Sequence, residues 1–221
     1  GKRAAGAKYM DAGRARLELL LQIGPTAERL SLLASYWKRR AQVCAARGNR
    51  KGIRECLLAL HRVYWAAVEH GYRQTGARDY YPLFNALDGA LLLAVAGERG
   101  PLEAHAHELA NLLQDGSDNA RQRGAEHREL FHALAEIEAQ RIDALWACCD
   151  GRDTGCITEP AVREHLATRY RDLLQSMGAA PKHDSATNQL RFLIDMLPSG
   201  DKGKRLARAL RELVDDIGQR P

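Results

Sequence analysis

Apolar residues in this chain recur at steps of three and four, segment after segment, and glycine- or proline-marked breaks separate the segments. That spacing gathers them on one side of an α-helix. After the Gly24-Pro25 break, Thr26 is placed to cap a helix carrying Leu30, Leu33, Ala34, Trp37, Ala41, Cys44 and Ala45, which Gly48 ends. A first helix runs over about 9–23, before that break, and a third follows the second after only a few residues, with Ile53, Cys56, Leu57, Leu60, Tyr64, Ala67 and Val68 on one stripe and Gly71 as its left-handed stop. So short a break between long amphipathic helices predicts an antiparallel hairpin. No segment alternates apolar and polar residues long enough for a strand, and the fold expected is all-α.

Further along, 81–97 reads as a very apolar helix beginning at Asp79 or Tyr81, with Gly89 and Ala90 small enough to admit a close neighbour. A return helix over 102–113, a loop over 115–119 capped at Asp118, and a long helix over 120–148 come next. Thr158 caps another helix, 178–184 separates it from one closed by Pro198, and the last carries Leu206, Leu210, Leu213, Val214 and Ile217. The words LFNAL (83–87) and LFHAL (130–134) nearly repeat each other 47 residues apart. A period of roughly 40 to 47 residues is that of stacked helix pairs, each covering its neighbour's apolar face. The expectation is therefore a helical-repeat domain over 1–197, with 198–221 as a C-terminal capping helix of the same domain.

At 221 residues, with 45% hydrophobic and 28% charged residues, the chain has material for a substantial core. No apolar run approaches the roughly 20 residues that cross a bilayer, and arginine and glutamate interrupt the region where a signal peptide's apolar part would lie. These features predict a cytoplasmic protein. Its start at Gly1 rather than Met reads as a segment of a longer one.

The net charge of +5 invites an alternative, a basic helical nucleic-acid-binding domain using 38–40, 47–54 and 202–208. Acidic residues interleave with the basic ones, and aromatics are only 6%, a poor supply for base stacking. The five cysteines are odd in number, which argues against a disulfide framework. Cys44 and Cys56 fall on apolar stripes; Cys148, Cys149 and Cys156 crowd a Gly-rich turn and read as a helix end and loop, or less simply as a zinc site without CxxC spacing.

Nothing encourages an enzyme. The stretch beginning His107-Glu108 has Asn111 where a zinc protease needs histidine, Glu129 and His132 form an ExxH with no second copy, and phosphate-loop and nucleophile-elbow motifs are absent. We expect no catalytic or metal-ligating residues and no cofactor. Lys38 and Arg39 suit an acidic peptide, or a structural salt bridge to a helix such as the one holding Glu55. Asn85 and Asp88, polar in an apolar helix, must bond a neighbouring helix or point into a groove. Glu129, His132, Glu136, Gln140 and Asp143 share one face, which is solvated or, on a concave wall, a polar groove. Lys38, Arg39, Asn85, Asp88, His132 and Glu136 are the candidate partner-binding residues.

The segments 28–42 (ERLSLLASYWKRRAQ), 79–97 (DYYPLFNALDGALLLAVAG), 130–140 (LFHALAEIEAQ) and 189–197 (QLRFLIDML) resemble the tetratricopeptide-like region found beside bacterial caspase-like (CHAT) proteases and in the central regulatory part of apoptosis signal-regulating kinases. The Tyr-Tyr-Pro followed by Asn85 is the most specific word. The usual Trp, Leu, Gly, Tyr, Ala and Pro pattern is intact in no unit, and residue 132 is His where the earlier copy has Asn85. The resemblance implies a right-handed stack of antiparallel helix hairpins, a tetratricopeptide-like α-solenoid with C-terminal capping helices. It also implies a regulatory or scaffolding module of a larger multidomain protein, whose partner is a protein, a peptide or an attached effector domain.

Overall fold

The structure, a computed structural model, describes residues 2–127, 132–152, 154–177 and 180–218, and the side chains of 9–125, 133–152, 154–176 and 187–218. It is all-helical: α1 (Lys2–Ile23), α2 (Ala27–Ala45), α3 (Arg50–Thr75), α4 (Tyr80–Val95), α5 (Gly100–Glu103), α6 (Leu109–His127), α7 (His132–Asp150), α8 (Pro160–Met177), α9 (Ala180–Met196) and α10 (Asp201–Gly218), with no strand among the described residues. No helix among them is long and apolar enough to cross a membrane.

Local chemistry sets most of the ends. The Thr26 hydroxyl accepts from the Arg29 amide at 3.1 Å, and the Asn49 side chain accepts from the Gly52 amide at 3.0 Å, each satisfying a free donor at a helix start. Asp79 caps α4 through the Tyr81 amide at 3.0 Å, while its other oxygen takes Arg123 at 2.8 Å.

Several expected boundaries move, and the return helix expected over 102–113 is instead the short α5 and the start of α6, with turns over 104–108 between them. α3 does not stop at Gly71 but at Gly76, whose φ of 72° supplies the left-handed turn; Gly71 stays helical and faces the start of α2, close to Ala27. The expected loop at 115–119 is helical, inside α6. Its composition favours a loop, but packing overrides propensity: a Cβ on Gly116 would lie 2.5 Å from the Phe84 ring, so only glycine lets α6 close on α4. Asp118, freed from capping, bonds Arg121 at 2.6 Å and Gln114 at 2.9 Å along its own helix. α8 begins at Pro160, whose fixed φ suits a first helical position, and not at a Thr158 cap. Residues 128–131, within the helix expected over 120–148, and 178–179 lie outside the described residues.

One apolar core runs from α2 to α10. At its centre α4 buries Leu83, Phe84, Leu87, Leu91, Leu92 and Leu93 and touches α3, α5, α6, α7 and α9. Each such side chain removed from water stabilises the fold by roughly 1.5 to 3 kcal/mol. As its small residues predict, α4 meets α3 closely: a Cβ on Gly89 would lie 2.9 Å from Leu60 Cδ2. Of the repeated words, Leu83 and Leu87 are buried on α4 and Leu134 on α7; these two helices pack together, and 130–131 lie outside the described residues. α10 buries Leu206, Leu210, Leu213 and Ile217 against α8 and α9. Sequence neighbours make most of the contacts; α4 also packs on α6 and α7 and α10 on α8, and the pairing most distant in sequence builds the site, where α9 lies against α2 and α4.

Candidate functional site

A cleft of about 840 Å³ opens where α2, α4, α7 and α9 converge. Each wall is a helical stripe: Ser35, Lys38, Arg39 and Gln42 from α2; Tyr81, Asn85 and Asp88 from α4; Leu134 and Glu138 from α7; Asn188, Gln189, Phe192 and Asp195 from α9. Steps of three and four bring these residues to one side of each helix, as they do for the core.

At the floor, Asp88 and Arg141 are 2% and 1% exposed, and they meet in a two-point ion pair at 2.8 and 2.9 Å. Either charge alone, so deeply buried, would cost several kcal/mol; only the pairing makes the arrangement tolerable. Gln189 extends the network. Its amide nitrogen donates to Asp88 at 2.6 Å, and its oxygen accepts from the Lys38 ammonium. Lys38 also donates to Asn85 Oδ1 at 3.0 Å and lies 4.9 Å from the centre of the Phe192 ring. Asn85 in turn donates to the Tyr81 carbonyl at 2.8 Å. Four helices are thus joined by one polar chain.

Burial holds Lys38 below the usual lysine range, against the pull of Tyr81, Asp88 and Glu138. Glu138, enclosed by the walls yet still partly open to the cleft, is pushed up to about 7 by burial; the charges of Arg141 and Lys38 oppose the rise and Asp88 adds to it. For Arg141 burial works against the charge, but the bonds and charge of Asp88 outweigh it and its pKa rises. Among the described residues Arg141 Nε is buried with no hydrogen-bond acceptor. Chemically the cleft can seat a negative group on Lys38, offer amide and hydroxyl bonds around it, and exchange a proton at Glu138 near neutral pH.

Of the residues singled out from sequence, Lys38, Arg39, Asn85 and Asp88 come together here. The alternatives for Asn85 and Asp88 prove compatible, since each bonds a neighbouring helix and also lines the cleft. Lys38 does not pair with Glu55, whose carboxylate instead lies 3.9 Å from Lys51. Glu136 is elsewhere: two residues before Glu138 it faces the far side of α7, bonding Arg121 at 2.8 Å with Arg169 at 3.5 Å. The His132 side chain and Glu129 lie outside the described residues, and Gln140 and Asp143 are exposed. Glu138, Arg141 and Gln189 went unrecognised. Arg141 carried a signal, because it falls on the buried stripe of Ile137, Ala144 and Leu145, where a charge must have a partner.

The cysteine-rich turn also departs from expectation. Cys148 and Cys156 form a disulfide, their Cα atoms 4.9 Å apart, which removes two of the three thiols from any zinc site; the end of α7 brings the two together across the turn. Cys44, Cys56 and Cys149 are free and buried, and burial first, then the neighbouring Cys44, push the Cys56 thiol up to about 12. Among the described residues no three His, Cys, Asp or Glu side chains are placed to share a metal ion. Comparison with protein-family models, curated proteins and solved structures returns no match.

Proposed function

We propose that this chain is a non-enzymatic protein-interaction or regulatory module, a tetratricopeptide-like stack of helix hairpins within a larger protein, and that the cleft among α2, α4, α7 and α9 receives a segment of its partner or of an attached effector domain. The observation that carries this reading is the polar network. It spans four helices at the base of an open cleft, where an apolar filling would serve stability as well or better. Helical repeats bind in this manner, with polar side chains of inner helices reading a segment laid along them. The near-repeat of LFNAL and LFHAL, and the predominance of contacts between helices adjacent in sequence, support the stacked-hairpin part of the reading.

The test is a photo-crosslinking residue placed at Arg39, on the cleft, and separately at the exposed Lys204 on α10, each in the full chain inside the cells that make it. We expect a discrete protein segment to be captured from position 39 and not from position 204. Equal capture from both positions, or none from position 39, overturns the proposal.

A further inference from the structure

Lys38 lies at the inner end of the cleft and, among the described residues, makes no direct ion pair. Its ammonium donates to two neutral amide oxygens, on Asn85 and Gln189, and among the described residues no carboxylate lies within ion-pair distance. The nearby Asp88 is already consumed by the two-point pair with Arg141 and by the Gln189 amide. An ammonium can donate three hydrogen bonds; two go to these oxygens, and what remains of its surroundings is the Phe192 ring, 4.9 Å away, and the cleft that Lys38 lines. Burial lowers the pKa of Lys38 although Tyr81, Asp88 and Glu138 pull the other way, so a further negative group beside it would stabilise its charge.

The mouth repeats the pattern. Arg39 on α2 and Arg191 on α9 are both exposed, both line the cleft, and neither forms an ion pair among the described residues. By contrast Arg40, Arg54, Arg78, Arg121, Arg141, Arg152 and Arg163 each lie against a carboxylate. Other arginines, Arg47, Arg62 and Arg208 among them, also lack an ion pair within the described residues, but here three such cations share one opening. Among the described residues Asp195 is the carboxylate on the rim with them.

We infer that the cleft binds an acidic peptide segment, an aspartate or glutamate carboxylate seating on the Lys38 ammonium while Arg39 and Arg191 hold neighbouring acidic residues at the mouth. A carboxylate fits better than a phosphate. One ammonium balances one negative charge, whereas a dianion would also meet Glu138 and the Asp88 carboxylate behind it; the Arg141 guanidinium, the natural fork for phosphate, faces Asp88 instead. Tyr80, Tyr81, Phe84 and Phe192 supply apolar walls for the stems of the bound side chains. This inference rests on the proposed binding role of the cleft and narrows it to one chemistry.

The probes are end-capped, fluorescein-labelled octapeptides of glutamate, of glutamine and of lysine, titrated into the full chain by anisotropy, with inorganic phosphate as a competitor. The glutamate peptide is expected to bind, the other two not. Lys38→Met weakens it by about tenfold or more, as loss of a charged hydrogen bond does. The exposed double variant Arg39→Gln/Arg191→Gln, whose folding is not at stake, weakens it by roughly three- to tenfold and flattens its salt dependence. Equal binding of the glutamine peptide, or unchanged glutamate binding in both variants, overturns the inference. Absence of glutamate-peptide binding also overturns it, yet leaves the binding role standing if position 39 still crosslinks a protein segment. Displacement of the glutamate peptide by phosphate at lower concentration than by free glutamate assigns the seat to phosphate and overturns it too.

Discussion

Substitution of Glu138 by glutamine should make the protein more stable, and only above mildly acid pH. The carboxyl shares the cleft with Lys38 from α2, Asp88 from α4 and Arg141 from its own helix, and burial lifts it from 4.5 to about 7. A carboxyl raised on folding binds more protons in the folded than in the unfolded state between those two values. Stability is therefore full below the unfolded value, falls as pH climbs from about 4.5 to about 7, and is level beyond. That gap, at about 1.4 kcal/mol per pH unit, sets a ceiling of about 3 kcal/mol. Water reaching Glu138 through the cleft screens part of it, so we expect about 1 to 2 kcal/mol. Glutamine keeps the shape and cannot ionise. Urea unfolding followed by circular dichroism at pH 5, 6, 7 and 8 should show variant and parent nearly level at pH 5, then a gap opening to that size by pH 8 in favour of the variant. A constant gap across the series, or one that opens the other way, refutes the assignment of the burial cost to this carboxyl.

Arg141→Met alone should lose about 3 to 5 kcal/mol in the same assay, because Asp88 is left buried and charged; adding Asp88→Leu should restore most of the loss, and a double variant as unstable as the single would show that the cost is not electrostatic. The Cys148–Cys156 disulfide closes a short loop, eight residues apart in sequence, and a chain-entropy treatment gives it about 2.5 kcal/mol. Cys148→Ser/Cys156→Ser should lower unfolding free energy by about that amount and abolish its sensitivity to reductant; no change in either would refute the link.

Helix existence was plain from apolar spacing, because a stripe is a local pattern that survives whatever packs on it. Boundaries were less so. Asp-Gly-Ser-Asp-Asn at 115–119 has the composition of a loop, and nothing within it announces that Phe84 needs the space over Gly116. Gly71 and Gly76 offer the same left-handed option in the sequence, and the chain takes it at Gly76. At the cleft, Asn85 and Asp88 drew notice by being polar among leucines. Gln189 could not, since a half-buried glutamine on an amphipathic helix looks like any solvated one until α9 is laid across α2. Glu136 and Glu138 show the limit on a single helix: two positions apart, they face opposite ways, and only the neighbouring helices decide which one borders the opening.

Gln189 touches Lys38 across 151 residues and Asp88 across 101. A nascent chain that has emerged only as far as α8 contains the residues of the first hairpin and both members of the Asp88–Arg141 pair, but not the wall that α9 adds to the cleft. The cleft is thus complete only once residues through Asp195 have been made. Whatever loosens α9 afterwards removes that wall of the cleft while leaving the earlier helices their own contacts.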